Sequence, residues 1–324
     1  MISRLEISQT NLLHNYKEFD KYLNGKSEII SVVKSNAYGH GLKEVVSVLN
    51  PYTSIFMVDD IQELESIRKF TSKAVLVSGY VASEDLERAI ELKCILSLYD
   101  IPRLRLLNQI AKNKAHQVQI HIKVDALLGR QGVMLEDFEV FLAELLNCTN
   151  VSAIGIYSHF SDLEDTTNLR HSKNQITMFN KFLALAHKNG LTNLKTHMCA
   201  TAGTLVFPKL NYDYVRLGIG LYGLWKSEKL RAAFASQIEL KPVLSWKTIV
   251  AQVKHIPQGY PISYGCTFIA PSPMVVAVIP QGYSDGYPRN LSNKAEVLIH
   301  GARCQILGRI AMNMFVVDVS HLTD

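Results

Sequence analysis

The chain has 324 residues, 48% of them hydrophobic, and exceeds the usual size of a single-core domain, so we expect two domains or a barrel with an addition. The formal net charge is +5, and the charged residues are interspersed, without the basic tract typical of nucleic-acid binding. The sequence shows no signal peptide and no apolar stretch of about 18 residues, so we expect neither export nor a membrane span. The five cysteines lack CxxC spacing, which argues against a disulfide framework or a zinc site and favours a cytoplasmic protein with reduced thiols.

The first two-thirds of the chain alternate between short apolar runs and amphipathic segments of helical period, such as 59–70, 83–93 and 136–147. Eight runs are typical of buried strands: 29–33, 54–58, 74–78, 94–98, 118–124, 151–157, 194–198 and 213–217. Eight strands alternating with helices predict an α/β fold of the (β/α)8 barrel type. A doubly wound sheet also alternates in this way, but no Gly-rich dinucleotide fingerprint follows the first run.

The pattern changes after about residue 235. Apolar runs there are separated by Pro and Gly turns, which predicts an all-β domain: 243–253, 274–279 and 296–300. We therefore expect a barrel over 1–234 and a β-rich domain over 235–324. Residues 1–10 are candidates to pack with the second domain.

Lys34 stands at the end of the first apolar run, where it is either a solvated strand end or a placed nucleophile. Other polar residues stand near the ends of later runs: Lys123 and Arg130 close the fifth run and its loop, His159 follows the sixth, and Arg216 lies near the end of the eighth. A barrel brings the carboxyl ends of its strands to one mouth, where catalytic residues lie. A neutral lysine amine there forms a Schiff base with a carbonyl, including that of pyridoxal phosphate. Candidates to hold its phosphate are the hydroxyls of Tyr38 and Thr201 and the Gly218–Ile219 turn.

Several ordered blocks extend this interpretation: RLEISQTNLLHNY (4–16), SVVKSNAYGHG (31–41), IKVDALLGRQG (122–132), VRLGIGLYG (215–223), ISYGCTF (262–268), IPQGYSDGYPR (279–289) and GRIAMN (308–313). In this order they resemble the pyridoxal-phosphate-dependent alanine racemases over essentially the whole chain. The resemblance implies an N-terminal (β/α)8 barrel and a C-terminal β domain. It also implies interconversion of L- and D-alanine, supplying D-alanine for peptidoglycan.

The resemblance implies a role for each residue. Lys34 holds the cofactor and acts as one base, and Tyr264 is the base on the opposite face of the substrate. Arg216 faces the pyridine nitrogen, and because arginine only donates, that nitrogen accepts and stays unprotonated. The resemblance also implies that His159 and Arg216 form the hydrogen-bond chain of Tyr264. It places Tyr38, His159, Thr201, Gly218 and Ile219 at the cofactor, and Arg130 and Met312 at the substrate carboxylate.

Two further implications concern assembly and modification. Tyr264 and Met312 complete the site of the partner subunit in a homodimer with shared active sites. In many family members the residue matching Lys123 carries a carbamate, which would turn a clash with Arg130 into an ion pair. Whether Lys123 is carbamylated in this chain stays open from the sequence.

Three departures from the family pattern leave the substrate open. Ala200-Thr201 replaces the usual Asn-Ser, and Asn313 replaces the usual Asp after Met312. The sequence also ends at Asp324, before further β structure that family members have, so we expect a shortened C-terminal domain. Alanine is the leading substrate, while serine or another amino acid and a degenerate, non-catalytic pyridoxal-phosphate barrel remain alternatives. A metal-dependent lyase or aldolase is less consistent, because the histidines, such as His116 and His121, form no ligand cluster in the sequence.

Overall fold

The computed structural model describes residues 2–164 and 167–322. Asp324, on which the expectation of a shortened domain was based, lies outside the described residues.

The helices are α1 (Gln9–Leu23), α2 (Lys34–Tyr38), α3 (Leu42–Leu49), α4 (Ile61–Arg68), α5 (Leu86–Glu91), α6 (Ile101–Asn113), α7 (Leu135–Asn147), α8 (Arg170–Lys188), α9 (Thr201–Val206) and α10 (Glu228–Phe234). The strands are β1 (Arg4–Ile7), β2 (Glu28–Val32), β3 (Ile55–Val58), β4 (Ala74–Val77), β5 (Ile95–Leu98), β6 (Val118–Lys123), β7 (Val151–Tyr157), β8 (Lys195–His197), β9 (Tyr214–Leu217), β10 (Leu244–Lys247), β11 (Gln252–Ile256), β12 (Pro261–Ile262), β13 (Phe268–Ile269), β14 (Met274–Ile279), β15 (Glu296–Ile299), β16 (Ala302–Leu307) and β17 (Phe315–Asp318).

Eight parallel strands form the main sheet, in the order β8-β7-β6-β5-β4-β3-β2-β9. A single parallel bridge between Ala200 and Arg216 joins its two ends, and the Arg216 amide donates to the Cys199 carbonyl at 2.9 Å. Every one of the eight apolar runs predicted as a strand forms one, so the predicted barrel architecture is confirmed.

Alternate residues of the barrel strands pack in two layers. Inside the barrel lie Ile30, Val32, Ile55, Met57, Leu76 and Ile95. Residues of the other parity pack outward against the helices in a larger core, which includes Val33, Phe56 and Val75. Burial on both faces explains why the strands appear in the sequence as continuous apolar runs.

Four of the described helices, α1, α4, α6 and α10, begin at a side-chain cap. Asp60 accepts from the Glu63 amide at 2.8 Å before α4, and Asp100 accepts from the Arg103 amide at 2.9 Å before α6. Each cap satisfies an amide that has no partner inside the helix. The two caps mark where α4 and α6 begin, shortly after the ends of β3 and β5.

The chain divides into two compact units, one of residues 7–244 and the other of residues 1–6 with 245–324. The second unit contains a five-stranded antiparallel sheet in the order β11-β14-β17-β16-β15. The apolar run 243–253 forms two strands instead of one, because β10 pairs with β1 whereas β11 pairs with β14. The β-rich character of this unit agrees with the sequence prediction.

Within the described part of the chain, no helix has both the length and the apolar character needed to cross a membrane.

Candidate active site

A cavity of about 680 Å³ opens at the carboxyl ends of the barrel strands. This is the end of a barrel at which active sites lie. Nine of the predicted site residues line it: Lys34, Tyr38, Lys123, Arg130, His159, Thr201, Arg216, Gly218 and Ile219. Residues as far apart in the sequence as Lys34 and Ile219 therefore face one space.

Two residues of the predicted site belong to the second unit. Tyr264 begins the short turn Tyr264–Cys266 and is 68% exposed, and Met312 is 53% exposed. Asn313, next to Met312, donates from Nδ2 to Ser284 Oγ at 2.9 Å. Within this unit the side chains of Tyr264 and Met312 are thus accessible.

Lys34 begins α2, which is a short left-handed turn and not a regular α-helix. Ser35, Asn36, Ala37 and Tyr38 all have φ between 52° and 55°, in the left-handed region, although none is glycine. Each such residue costs about 1–2 kcal/mol. The surrounding fold must therefore impose this turn on the sequence.

Three contacts hold the left-handed turn. The Ser35 amide donates to the Glu63 carboxylate, the Ala37 amide donates to the Val33 carbonyl at 2.9 Å, and the Leu42 amide donates to Asn36 Oδ1 at 2.9 Å. They anchor the segment to α4 and to the start of α3. The turn fixes the direction in which the Lys34 side chain leaves the barrel strand.

The Lys34 amine forms an ion pair with Asp59, whose Oδ1 lies 3.0 Å from Nζ. Asp59 follows β3 as Lys34 follows β2, and both side chains are partly exposed. Asp59 is the one carboxylate among the described residues that line the cavity. Since five lining residues are cationic (Lys34, Lys123, Arg130, Arg216 and Lys226), the cavity favours an anionic ligand.

Arg216 is the central donor of the site and is only 3% exposed. Its Nη2 donates to the Ser158 carbonyl at 2.7 Å and to the Met198 carbonyl at 2.9 Å, and lies 3.2 Å from His159 Nδ1. Its Nη1 donates to His197 Nδ1. These partners fix the guanidinium plane against the cavity.

Burial sets the charge states in this cluster. It lowers the pKa of Arg216 to about 10, so the guanidinium is still charged at neutral pH. Burial, and then the charge of Arg216, lower the pKa of His159 to about 3 and hold the pKa of His197 well below its ordinary value. Both imidazoles are neutral and can accept from Arg216.

Lys123 is 5% exposed and donates from Nζ to Gln131 Oε1 at 2.9 Å. Burial, followed by the charges of Arg130 and Arg216, lowers its pKa to about 8. A substantial fraction of this amine is therefore neutral just above pH 7.

The loop that carries Arg130 is organised by Asp125. The Asp125 carboxylate accepts from the backbone amides of Leu128, Gly129 and Arg130 at 2.7, 3.1 and 2.9 Å. The loop ends at Gly132, where a side chain does not fit because its Cβ would lie 2.4 Å from the Asp125 backbone nitrogen. The buried carboxylate thus shapes the loop that brings Arg130 to the cavity.

Hydroxyl and backbone groups meet on another wall of the cavity. The Thr201 hydroxyl accepts from the Gly220 amide at 3.2 Å, which leaves its hydrogen free to be donated. The Tyr38 ring packs on Tyr222, with centroids 5.0 Å apart, and a Cβ at residue 218 would lie 2.5 Å from the Tyr38 hydroxyl. Glycine at 218 therefore leaves the room that this arrangement needs.

Sequence reasoning missed three residues that organise the site. Asp59 was detectable, because it directly follows the second apolar run as Lys34 follows the first. His197 lies inside the seventh run, and Asp125 lies inside the block 122–132, but neither has a local pattern that identifies its partner.

Comparison with known proteins shows the family. Residues 7–226 match the model of the alanine racemase N-terminal domain, and residues 243–324 match that of the C-terminal domain. The chain belongs to the alanine racemase family. That resemblance to the family, stated from the motifs, is confirmed, and the family's enzymes are isomerases that depend on pyridoxal phosphate.

Individual relatives agree with this assignment. An alanine racemase of Leptospira interrogans is 33% identical over 327 residues, which cover 99% of this chain and 83% of the relative. The crystal structure of the enzyme from D-cycloserine-producing Streptomyces lavendulae is 27% identical, with a TM-score of 0.92 over 100% of this chain and 85% of that one. The Bartonella henselae enzyme, crystallised with covalently bound pyridoxal phosphate, shares the fold at 24% identity and a TM-score of 0.88, over 100% of this chain and 88% of that one.

Proposed function

We propose that this alanine racemase family member interconverts L- and D-alanine by a two-base mechanism in which Lys34 and Tyr264 act on opposite faces of the substrate. The observation that carries the proposal is the single cavity that collects Lys34, Arg216, Arg130 and a set of hydroxyl donors. Racemisation needs two groups because a proton removed from one face must be returned to the other.

The residues present fit pyridoxal phosphate. The Tyr38 and Thr201 hydroxyls and the backbone at Gly218–Ile219 would hold its phosphate, with the Tyr38 hydroxyl in the space that Gly218 leaves. Lys34 would hold its carbonyl carbon, since the amine is at the cavity wall. When bound, the cofactor supplies a ring that withdraws electrons and makes the α-hydrogen of an amino acid acidic.

Arg216 is proposed to donate to the pyridine nitrogen. Its guanidinium keeps its proton at neutral pH and can only donate hydrogen bonds, since none of its atoms accepts one. A ring nitrogen that faces it therefore has to accept, and has to stay unprotonated. The ring then withdraws electrons less strongly than a protonated one. The related basic amino-acid decarboxylases have an acid at this position, so Arg216 favours racemisation over that chemistry. His159, 3.2 Å from Arg216 Nη2, holds the guanidinium from the cavity side.

Arg130 is proposed to bind the substrate carboxylate, together with the Met312 backbone amide of a second subunit. Arginine matches a carboxylate with two parallel N–H groups. Lys123 is proposed to carry a carbamate. Its lowered pKa supplies the neutral amine that adds to carbon dioxide, and the product would be an anion next to the Arg130 charge. Asn313 lacks the charge of the aspartate that the family usually has after Met312, and serine therefore remains the second candidate substrate.

The enzyme is proposed to be a cytoplasmic homodimer that supplies D-alanine for peptidoglycan. The accessibility of Tyr264 and Met312 within the second unit supports sharing of the site between subunits. In such a dimer, each cavity would receive Tyr264 from the neighbouring chain.

The first experiment is chiral chromatography of L-alanine and L-serine after incubation with the protein and pyridoxal phosphate. D-Alanine should appear with the parent chain and be lost in Lys34→Ala. In Tyr264→Phe, racemisation should collapse while the α-hydrogen of one enantiomer still exchanges with deuterated solvent, since one base remains. Formation of no D-amino acid by a folded protein that binds pyridoxal phosphate would instead favour the non-catalytic barrel.

Mixing the two inactive variants tests the shared site. If Lys34 and Tyr264 act from different subunits, a mixed dimer contains one site with both residues intact. Random exchange should then restore about a quarter of the parent activity, because half of the dimers are mixed and each has one good site. No recovery after demonstrated subunit exchange would place both bases in one chain.

A further inference from the structure

A buried chain of three side chains crosses the barrel behind the cavity. Arg216 Nη1 donates to His197 Nδ1, and His197 Nε2 lies 2.8 Å from His121 Nδ1. The three residues come from β9, β8 and β6, and none is more than 3% exposed. Only Arg216 lines the cavity, so His121 is two side chains away from it.

The direction of hydrogen bonding in this chain follows from Arg216. Because a guanidinium has no acceptor, His197 Nδ1 must accept, and its hydrogen is on Nε2. His197 Nε2–H then donates to His121 Nδ1, so the hydrogen of His121 is on Nε2. The opposite tautomer of His121 would place two N–H groups against each other in a buried site.

The neighbouring strand makes room for the His121 ring. A Cβ on Gly155 of β7 would lie 2.6 Å from both Cδ2 and Nε2 of His121. The His197 ring in turn stacks on Tyr157, with ring centroids 4.6 Å apart and planes 5° apart. The two imidazoles are therefore held in fixed positions by packing as well as by hydrogen bonding.

Arg216 needs strong neutral acceptors. Among the described residues no carboxylate pairs with it, so its buried charge is compensated by the Ser158 and Met198 carbonyls and by the His159 and His197 imidazoles. An imidazole that donates from one nitrogen becomes a better acceptor at the other, as hydrogen bonds in a chain polarise one another.

We propose that His121 is a positioning residue for Arg216: by accepting from His197 it fixes the tautomer and ring orientation that Arg216 needs to face the ligand. The expected effect of His121 on the binding of pyridoxal phosphate rests on the proposed function, in which Arg216 contacts the cofactor ring. The expected effect of His121 on the His197 tautomer does not depend on the proposed function.

Two variants of matched shape separate the hydrogen bond from the volume of the ring. His121→Asn keeps an acceptor at the δ position, while His121→Leu has nearly the same shape as asparagine without an acceptor. The first readout is nitrogen-15 NMR of the histidine rings in the cofactor-free protein. The His197 Nε2–H proton should be shifted downfield and protected from solvent exchange in the parent and in His121→Asn, and should lose both properties in His121→Leu.

The second readout is the affinity for pyridoxal phosphate, measured by titration of its visible absorbance. His121→Leu should bind about five- to tenfold more weakly than His121→Asn, the ratio expected for one net hydrogen bond. Equal behaviour of the two folded variants in both readouts would overturn the proposal. If neither folds, Gly155→Ala, which keeps His121 but displaces its ring, replaces them, and an unchanged His197 signal there would overturn it.

The two readouts distinguish this proposal from the proposed function. If the parent chain fails to bind pyridoxal phosphate, the proposed function is wrong, and the NMR comparison still decides whether His121 positions His197.

Discussion

Lowering the pH from 7 to 5 should strongly destabilise the cofactor-free barrel, because three histidines are buried there in their neutral form. Burial, and then the charge of Arg216, lower the pKa of His121 and His159 to about 3, and the pKa of His197 lies well below its ordinary value. In the unfolded chain a histidine has a pKa near 6.5. Between these values the unfolded chain binds protons that the folded barrel does not, so stability is full above about pH 6.5 and falls as the pH drops toward about 3.

The magnitude follows from proton linkage. At pH 5 each unfolded histidine is almost fully protonated, which lowers the free energy of unfolding by about 2 kcal/mol relative to pH 7 for a group that stays neutral when folded. Two fully buried histidines and the partly exposed His159 give about 5 kcal/mol in total. This is a large share of the roughly 5–15 kcal/mol that stabilises a typical domain.

The assay is urea unfolding at pH 7, 6 and 5, followed by the fluorescence of Trp225. Because the chain has two tryptophans and Trp246 lies in the second unit, the Trp246→Phe background makes Trp225 report on the barrel alone. His121→Asn removes one of the three groups and should reduce the loss between pH 7 and 5 by about a third. His116→Asn, at an exposed position, is the matched control and should leave the loss unchanged. Two results would contradict this reasoning: a decrease in the free energy of unfolding of less than about 2 kcal/mol for the parent between pH 7 and 5, or the same decrease in the parent and in His121→Asn. Either would show that the buried rings take up protons without unfolding.

The remaining predictions concern Lys123, Gly155 and Asp125. With carbon-13 bicarbonate, the parent should show a carbamate resonance that Lys123→Met lacks, and a parent spectrum without that resonance counts against the modification. Gly155→Ala should lower the free energy of unfolding in urea by about 1–3 kcal/mol, because the new methyl meets the His121 ring, and adding His121→Asn should restore part of the loss. Asp125→Asn should raise KM for alanine about tenfold with a smaller change in kcat, since the Arg130 loop loses charged hydrogen bonds, and an unchanged KM in steady-state kinetics would separate the loop from substrate binding.

The barrel could be predicted from the sequence because its strands are buried on both faces and its helices on one. These two burial patterns produce the short apolar runs and the amphipathic segments that alternate from residue 29 to residue 217. The run 243–253 could not be divided in the same way. Its first half pairs with β1, more than 230 residues earlier in the chain, and no local pattern encodes a partner at that distance.

Which residues meet at the cavity was predictable from one rule, but their hydrogen bonds were not. The rule that functional groups lie at the carboxyl ends of barrel strands led to Lys34, Lys123 and Arg216. The left-handed turn after Lys34 opposes the local preference of its four residues and depends on distant contacts such as that of Ser35 with Glu63. His197 was missed for a similar reason, since its role is defined by Arg216 on the neighbouring strand end.

Ala200, which stands where the family usually has asparagine, affects the predicted site without affecting the fold. Ala200 closes the barrel through a backbone bridge to Arg216, which any side chain permits, so the loss of a polar group there does not disturb the architecture. It does remove a donor from the cavity wall.

In the proposed function, binding of the phosphate then depends on the hydroxyls of Tyr38 and Thr201. The Thr201 hydroxyl is already oriented by the Gly220 amide, and the Tyr38 hydroxyl occupies the space left by Gly218. Because the Thr201 hydroxyl is hydrogen-bonded and the Tyr38 ring is packed on Tyr222 before a ligand arrives, the site keeps two placed donors despite the missing one.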